Sequence, residues 1–368
     1  MNHDLIVEGF HGPGGGAEGR RILGLTTRAI GMEWDAAACA TATAAGHTVI
    51  RTDVAAYPTA PFKGRIVGKV DSPPCQAWSR AGKGLGLVDQ PLVHQAVEDL
   101  SHGRDTRAKL LTACKDERSL LAAEPMRWHH DLRPEWICME EVPDVLPLWR
   151  QYAAILRGWG YSVWVGILNA ADYGVPQTRR RAILIASRVR TVTAPAPTHT
   201  QHPGGEDLFG ESLPGWVSMA DALGWGATDR PAPTVTAGGG KTGGAEPFPT
   251  QARNALASSR DRGDWVLRNG TQKNAAYRPL NQPAGTLFFG ARCNDVSWVN
   301  GDDSVRITQA EAAVLQSFPV GHPWQGTKTK QFEQIGNAVP PLLAAHVMAV
   351  ATGLPAPGVA PAAFERAA

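Results

Sequence analysis

The chain has 368 residues, 43% of them hydrophobic and 19% charged, with a net charge of +2. These values fit one large or two ordinary globular domains with a sizeable core and exclude a disordered or fibrous chain. No apolar run approaches the ~20 residues of a membrane span, Asn2-His3-Asp4 is not a basic leader, and five scattered cysteines without a C-x-x-C pair indicate neither a disulfide framework nor a zinc site, so a cytoplasmic setting and no metal are expected.

In chain order, Leu5–Phe10 reads as a strand, followed by a glycine-rich turn and a helix to about Leu25. Ala29–Trp34 is a second strand, and Asp35 caps the alanine-rich helix Ala36–Ala45. His47–Arg51 and Arg65–Val70 are the third and fourth strands. After a long helical stretch come Trp136–Glu140, the helix Val145–Gly158, Tyr161–Leu168 and Arg181–Ala186. Such alternation predicts an α/β fold with a parallel, doubly wound sheet and right-handed crossovers.

Near Arg190 the composition changes. Residues 191–304 are rich in Pro, Gly, Thr, Asn and Arg, with short apolar runs at Thr234–Thr236 and Thr286–Phe289, and read as a loop-rich segment with a few short strands. Arg230-Pro-Ala-Pro-Thr-Val-Thr and Arg278-Pro-Leu-Asn-Gln-Pro-Ala-Gly-Thr-Leu read as two similar turns. Within residues 251–292, seven basic residues face two acidic ones, Asp261 and Asp264, a local +5 that is by itself equally well a solvated face. Helical patterning returns at Thr308–Gln316 and Leu342–Ala351. The expected division is an α/β unit 1–189, a loop-rich unit 190–304, a return to the first unit over 305–352, and a disordered Pro/Ala-rich tail 353–368.

His11-Gly12-Pro13-Gly14-Gly15-Gly16 lies between the first strand and first helix, where glycines admit close backbone approach and a helix N-terminus favours negative charge. Glu33 ends the second strand, placed to accept the hydroxyls of a ribose, and Asp53 ends the third, placed for an adenine amino group; Trp34 could stack on the ring. Each alone is as easily a cap or surface residue; together they favour an adenosine-containing cofactor. Pro73-Pro74-Cys75-Gln76 follows the fourth strand. Two prolines stiffen the turn and hold a thiol at the C-terminal sheet edge, although a buried cysteine after a proline turn is the commoner reading of those residues taken alone.

The order of motifs resembles the DNA cytosine-5 methyltransferases. Phe10-His-Gly12-Pro-Gly14-Gly15 is similar to that family's first motif, Gly31-Met-Glu33-Trp34-Asp35 to its second and Thr52-Asp53-Val54 to its third. Pro73-Pro74-Cys75-Gln76-Ala77-Trp78-Ser79 resembles the nucleophile motif, Glu140-Glu141-Val142-Pro143 the Glu-Asn-Val motif, and Gln177-Thr178-Arg179-Arg180-Arg181 the Gln-x-Arg-x-Arg motif. Arg306-Ile-Thr308-x-x-Glu311 with Leu315-Gln316-Ser317-Phe318-Pro319, and Gln334-Ile-Gly-Asn337-Ala-Val339-Pro-Pro341, resemble the ninth and tenth, so the resemblance runs from residue 5 to about 352. There are departures: Glu141 stands where the family has the Asn that braces the nucleophile loop, and Glu8-Gly9-Phe10 replaces Asp-Leu-Phe. The polar stretch Ser101–Arg118 has no assignment.

The resemblance implies a Rossmann-like methyltransferase fold, with 1–189 and the return over 305–352 as the catalytic domain and 190–304 as a smaller recognition domain, acting on duplex DNA as a monomer, with a possible cognate restriction endonuclease. It implies Cys75 as nucleophile, Glu140 at the cytosine N3, Arg181 at its O2 and Arg179 supporting the nucleophile loop. S-adenosylmethionine would be held by Phe10, Gly12, Gly14, Gly15, Glu33, Trp34, Asp53, Asn337 and Val339. Ser79–Gly86 would be a mobile loop closing on DNA. Two rivals share the fold, an RNA cytosine-5 methyltransferase and a catalytically dead DNA-binding protein.

Overall fold

The computed structural model describes residues 4–78, 85–204, 213–224, 265–270, 275–287, 289 and 296–358, with the Cys75 side chain outside that description. Seven strands form the main sheet: β1 Leu5–Gly9, β2 Arg28–Glu33, β3 Val49–Arg51, β4 Ile66–Asp71, β5 Trp136–Glu141, β6 Ser162–Asn169 and β7 Arg180–Ser187. Their order is β3-β2-β1-β4-β5-β7-β6, so the sheet reverses direction of growth between β1 and β4, the switch point at which open α/β sheets bind ligands.

The expectation of a wholly parallel sheet is corrected at its far side, where β7 runs antiparallel to both β5 and β6. The reason is the connection. Residues 170–179 hold only a short 3-10 turn, Ala170–Tyr173, and a parallel return needs a crossover of a dozen residues or more. The consequence is functional: β7 presents its N-terminal end at the edge where its neighbours present their C-terminal ends.

Alternation along the strands splits the sheet into two packed faces. On β5, Ile137 and Met139 join one core with Val93, Leu148 and Trp149; Trp136 and Cys138 join another with Leu342, Leu343 and Met348. The first face is covered by the helices Leu85–Ser101, Glu124–Leu132 and Leu146–Gly158. The second is covered from opposite ends of the chain, by α1 Gly15–Ile22 with the C-terminal helix Pro341–Thr352. Each fully buried Leu or Ile contributes roughly 1.5–3 kcal/mol, so both faces are strongly held.

A smaller antiparallel sheet follows, β8 Val266–Asn269, β9 Ala276–Pro279, β10 Val296–Asn300 and β11 Asp303–Arg306, in the order β11-β10-β8-β9. Its core runs from Met219 through Trp265 and Trp298 to Phe318 and Ile335, joining the sheet to the helices Met219–Leu223, Gln309–Leu315 and Lys328–Asn337. Of the apolar run Thr286–Phe289, Leu287 and Phe289 are buried in this core, outside any strand. The Thr234–Thr236 run, most of the 251–292 basic cluster and residues 359–368 of the tail lie outside the described residues. The stretch Lys328–Thr352 is long and apolar enough to cross a membrane, but it is two helices joined through Ala338–Pro340, and 78% of its most apolar window is buried in the protein.

Candidate active site

One cavity of about 920 Å3 lies at the sheet edge where β1–β5 end and β7 begins. Its first wall is the turn after β1. Phe10 takes φ +56 and Gly12 φ +58, and the N–H of Gly12 donates to Glu33 Oε2 at 2.8 Å. Gly14 caps α1 at φ +104 and packs on His47, while Gly15 borders the cavity. A Cβ on Gly15 would lie 2.2 Å from the Val339 carbonyl oxygen, so glycine is required for the loop before the C-terminal helix to close against α1.

Glu33 ends β2 with its other oxygen accepting from the N–H groups of Trp34 and Asp35, both at 2.8 Å. Trp34 is 75% exposed at the rim, an uncovered indole beside an acidic strand end. Asp53 follows β3 by two residues; its Oδ1 accepts from Ala55 N at 2.9 Å. Asn337 and Val339 close the same space from the C-terminal side. Phe10, Gly12, Gly15, Glu33, Trp34, Asp53, Asn337 and Val339 thus share one cavity, with Gly14 just behind it.

The cavity continues to the end of β4. Ser72, Pro73, Pro74 and Gln76 border it, and the Cys75 backbone opens a 3-10 turn immediately after Pro74. Across it, Glu140 at the end of β5 pairs with Arg181 at the start of β7, with Nε 2.9 Å from Oε1; the side chains are 12% and 9% exposed. Arg179 is buried. Its N–H donates to Asn169 Oδ1 at 3.1 Å and its Nη1 to the Gly336 carbonyl at 2.9 Å, tying the start of β7 to the loop that carries Asn337. The antiparallel β7 is what brings Arg181 to the carboxylate.

Glu141 is only 1% exposed, and its Oε1 has no hydrogen-bond partner among the described residues. Burial pushes its carboxyl well above the usual range; the Val142 N–H opposes and the Glu140 charge reinforces that shift. Sequence motifs also miss several groups at the site. Glu8 accepts from Arg20 Nε at 2.6 Å beneath the glycine turn. Burial alone would raise its pKa, but His11 and Arg20 hold it below the ordinary value. Asp105, Arg107 and Leu111 form a wall that no periodicity announces. Lys330 borders the rim and reaches Asp35 Oδ2 at 3.2 Å.

Doubly wound topology, the glycine turn and the acidic strand ends define a Rossmann-like protein of the methyltransferase type. The C-5 cytosine-specific DNA methylase model matches residues 6–351, nearly the whole chain. The chain is similar to the Type II methyltransferase M.DdeI of Desulfomicrobium norvegicum, 25% identical across 92% of this chain and 86% of that one. It is 28% identical to the Type II methyltransferase M1.HphI of Haemophilus parahaemolyticus across 75% of this chain, spanning 65% of that protein's length. Among solved structures it shares its fold with the Entamoeba histolytica methyltransferase EhMeth, with a TM-score of 0.58 and 14% identity over 96% of this chain and 99% of that one. The chain belongs to the C-5 cytosine-specific DNA methylases.

Proposed function

We propose that this protein transfers a methyl group from S-adenosylmethionine to carbon 5 of a cytosine flipped out of a specific duplex DNA sequence, through a covalent bond to Cys75. The observation that carries the reading is the single cavity that joins an adenosine-type edge, Glu33, Trp34 and Asp53, to the Pro73-Pro74-Cys75 turn and the Glu140–Arg181 pair.

The residues fit the cofactor. Gly12 leaves room for close approach, Glu33 and Asp53 supply acceptors at successive strand ends, and Trp34 offers an uncovered ring; Phe10, Gly14, Gly15, Asn337 and Val339 shape the turn and the opposite wall. Bound there, S-adenosylmethionine supplies an electrophilic methyl on a sulfonium. The chain's own residues activate the base. Carbon 5 of cytosine is a poor nucleophile, and a Cys75 thiolate adding to carbon 6 makes it enamine-like. The Glu140 carboxyl, placed at N3, stabilises the charge that addition pushes onto the ring. Arg181, held beside Glu140, donates to the adjacent O2, and Arg179 fixes the frame behind them. Elimination of the thiolate after loss of the carbon 5 proton restores the ring. Flipping the base costs a few kcal/mol and exposes the atoms that the duplex hides.

In this reading residues 190–304 carry target choice, the Arg, Asn and Gln side chains there being those that read base edges. The protein acts as a monomer on DNA in the cytoplasm of a bacterial or phage-infected cell, with a cognate restriction endonuclease as a possible partner. The test is trapping: target DNA containing 5-fluorocytosine should form a covalent adduct with the protein in the presence of S-adenosylmethionine, because fluorine cannot leave as a proton does. Cys75→Ala should lose both adduct and methylation; an alanine variant that still methylates removes Cys75 from the mechanism.

A further inference from the structure

Residues 105–111, within the stretch that carries no motif, are held onto the turn that follows Asp53. Arg107 Nη1 donates to the Ala55 carbonyl at 3.0 Å and pairs with Glu124, while its Nε and Nη2 grip Asp105 at 2.8 and 2.6 Å. Arg127 Nη2 donates to the carbonyls of Val54 and Tyr57 at 2.9 and 3.0 Å, and its Nε holds Glu124 Oε1 at 2.6 Å. Two guanidinium groups therefore take three carbonyls of one short turn, and both hang on a single carboxylate that is 1% exposed. Among the described residues the Asp53 side chain has no such anchor beyond the cap to Ala55, so its aim follows the turn. Asp105, Arg107, Ala108 and Leu111 border the cavity beside it.

Such an arrangement is costly as a source of stability alone. Buried ion pairs roughly break even against apolar residues of similar size, and their best-attested use is to fix one geometry. We propose that Glu124, Arg107 and Arg127 form a clamp that positions the Asp53 turn, and that residues 105–111 close the adenine end of the cofactor site over it, so that Arg107 is a positioning residue for cofactor binding. The proposal rests on the reading of this cavity as the S-adenosylmethionine site.

The clamp is also sensitive to pH. Burial, opposed by Arg127 and Arg107, pushes Glu124 up to about 7. The groups that face it are Arg107, Arg127 on its own helix, Lys69 from β4 and Tyr152 from the Leu146–Gly158 helix. Ionised Glu124 holds both arginines; as pH falls through about 7 it takes up a proton and its hold on them weakens.

The experiment is calorimetric titration of the full chain with S-adenosylmethionine above and below that pH, with steady-state kinetics on DNA. Wild-type affinity should fall as pH drops through about 7. Arg107→Ala should weaken binding about tenfold or more, the scale of a lost hydrogen bond to a charged group. Its KM for S-adenosylmethionine should rise in parallel, with kcat at saturating cofactor and the KM for DNA within about twofold of wild type. Arg107→Lys should recover part of the loss. Arg104→Ala removes a guanidinium from the same stretch whose partner is Asp99, away from the cavity, and should leave cofactor affinity unchanged. Glu124→Gln should flatten the pH dependence; should it fail to fold, the Arg107 variants decide. Wild-type affinity for cofactor in Arg107→Ala, or a fall in kcat with KM unchanged, overturns the clamp. A wild-type protein that binds no S-adenosylmethionine at any pH overturns the cofactor reading itself and the clamp with it.

Discussion

Glu141 makes a residue-scale argument about charge. It ends β5 beside Glu140, one oxygen accepting from the Val142 N–H and the other without a hydrogen-bond partner among the described residues. Two adjacent carboxylates at a buried strand end cannot both ionise cheaply, and burial places the cost on Glu141. An acid whose folded pKa is raised destabilises the fold as pH rises above its unfolded value of about 4.3 and until it ionises in place. Glu141→Gln is neutral at every pH and of similar shape. It should therefore be more stable than wild type to urea at neutral pH, with the gain vanishing as pH falls toward 4, and should keep methylation. Equal stability at neutral pH would mean that Glu141 is solvated or paired in solution. In the Glu-Asn-Val motif that Glu140-Glu141-Val142 resembles, the middle residue is an uncharged Asn, and a neutral acid is the closest a glutamate comes to that.

At the scale of elements, α1 and the C-terminal Pro341–Thr352 helix touch through glycine. A Cβ at Gly15 would meet the Val339 carbonyl oxygen at 2.2 Å, and one at Gly19 would meet Ala344 Cβ and the Pro341 carbonyl at 2.7 and 2.8 Å. Overpacking of this kind costs about 1–3 kcal/mol. Gly15→Ala and Gly19→Ala should both lower the urea midpoint, but only Gly15 borders the cavity, so only Gly15→Ala should also raise the KM for S-adenosylmethionine. The same effect from both variants would reduce Gly15 to packing. The main strands were legible in sequence because each is a short apolar run bounded by turn residues, and the Thr308–Gln316 helix because Thr308 and Glu311 form a capping box. The direction of β7 was not, since alternation of apolar residues is the same for a strand read either way. Nor was the helix Lys328–Asn337 read from sequence: its apolar positions are few, and it gains its place from Phe332 and Ile335 in the second core.

Over the whole molecule, the motifs that lie far apart in sequence meet by direct contact. Gln177, before β7, donates to Gln316 Oε1 at 2.6 Å and accepts from Leu287 N at 3.2 Å, and Gln316 Nε2 donates to the Ala338 carbonyl at 2.8 Å. Buried amides with these partners lock the main sheet to the second core, since an unmade bond at such a site costs about 1–3 kcal/mol. The candidate site was legible where a motif carries it: Glu33, Asp53, Glu140, Arg179 and Arg181 lie on one cavity. The Arg107 wall was not, because its partners Ala55 and Glu124 are distant in sequence and no spacing links them. The central claim concerns what this assembled cavity does, and one measurement addresses it. Purified protein should be incubated with duplex DNA and methyl-labelled S-adenosylmethionine, and the DNA digested to nucleosides. The account predicts label in 5-methylcytosine alone and none on tRNA offered in parallel; label on another position of a base, label on tRNA but not DNA, or no label would contradict it.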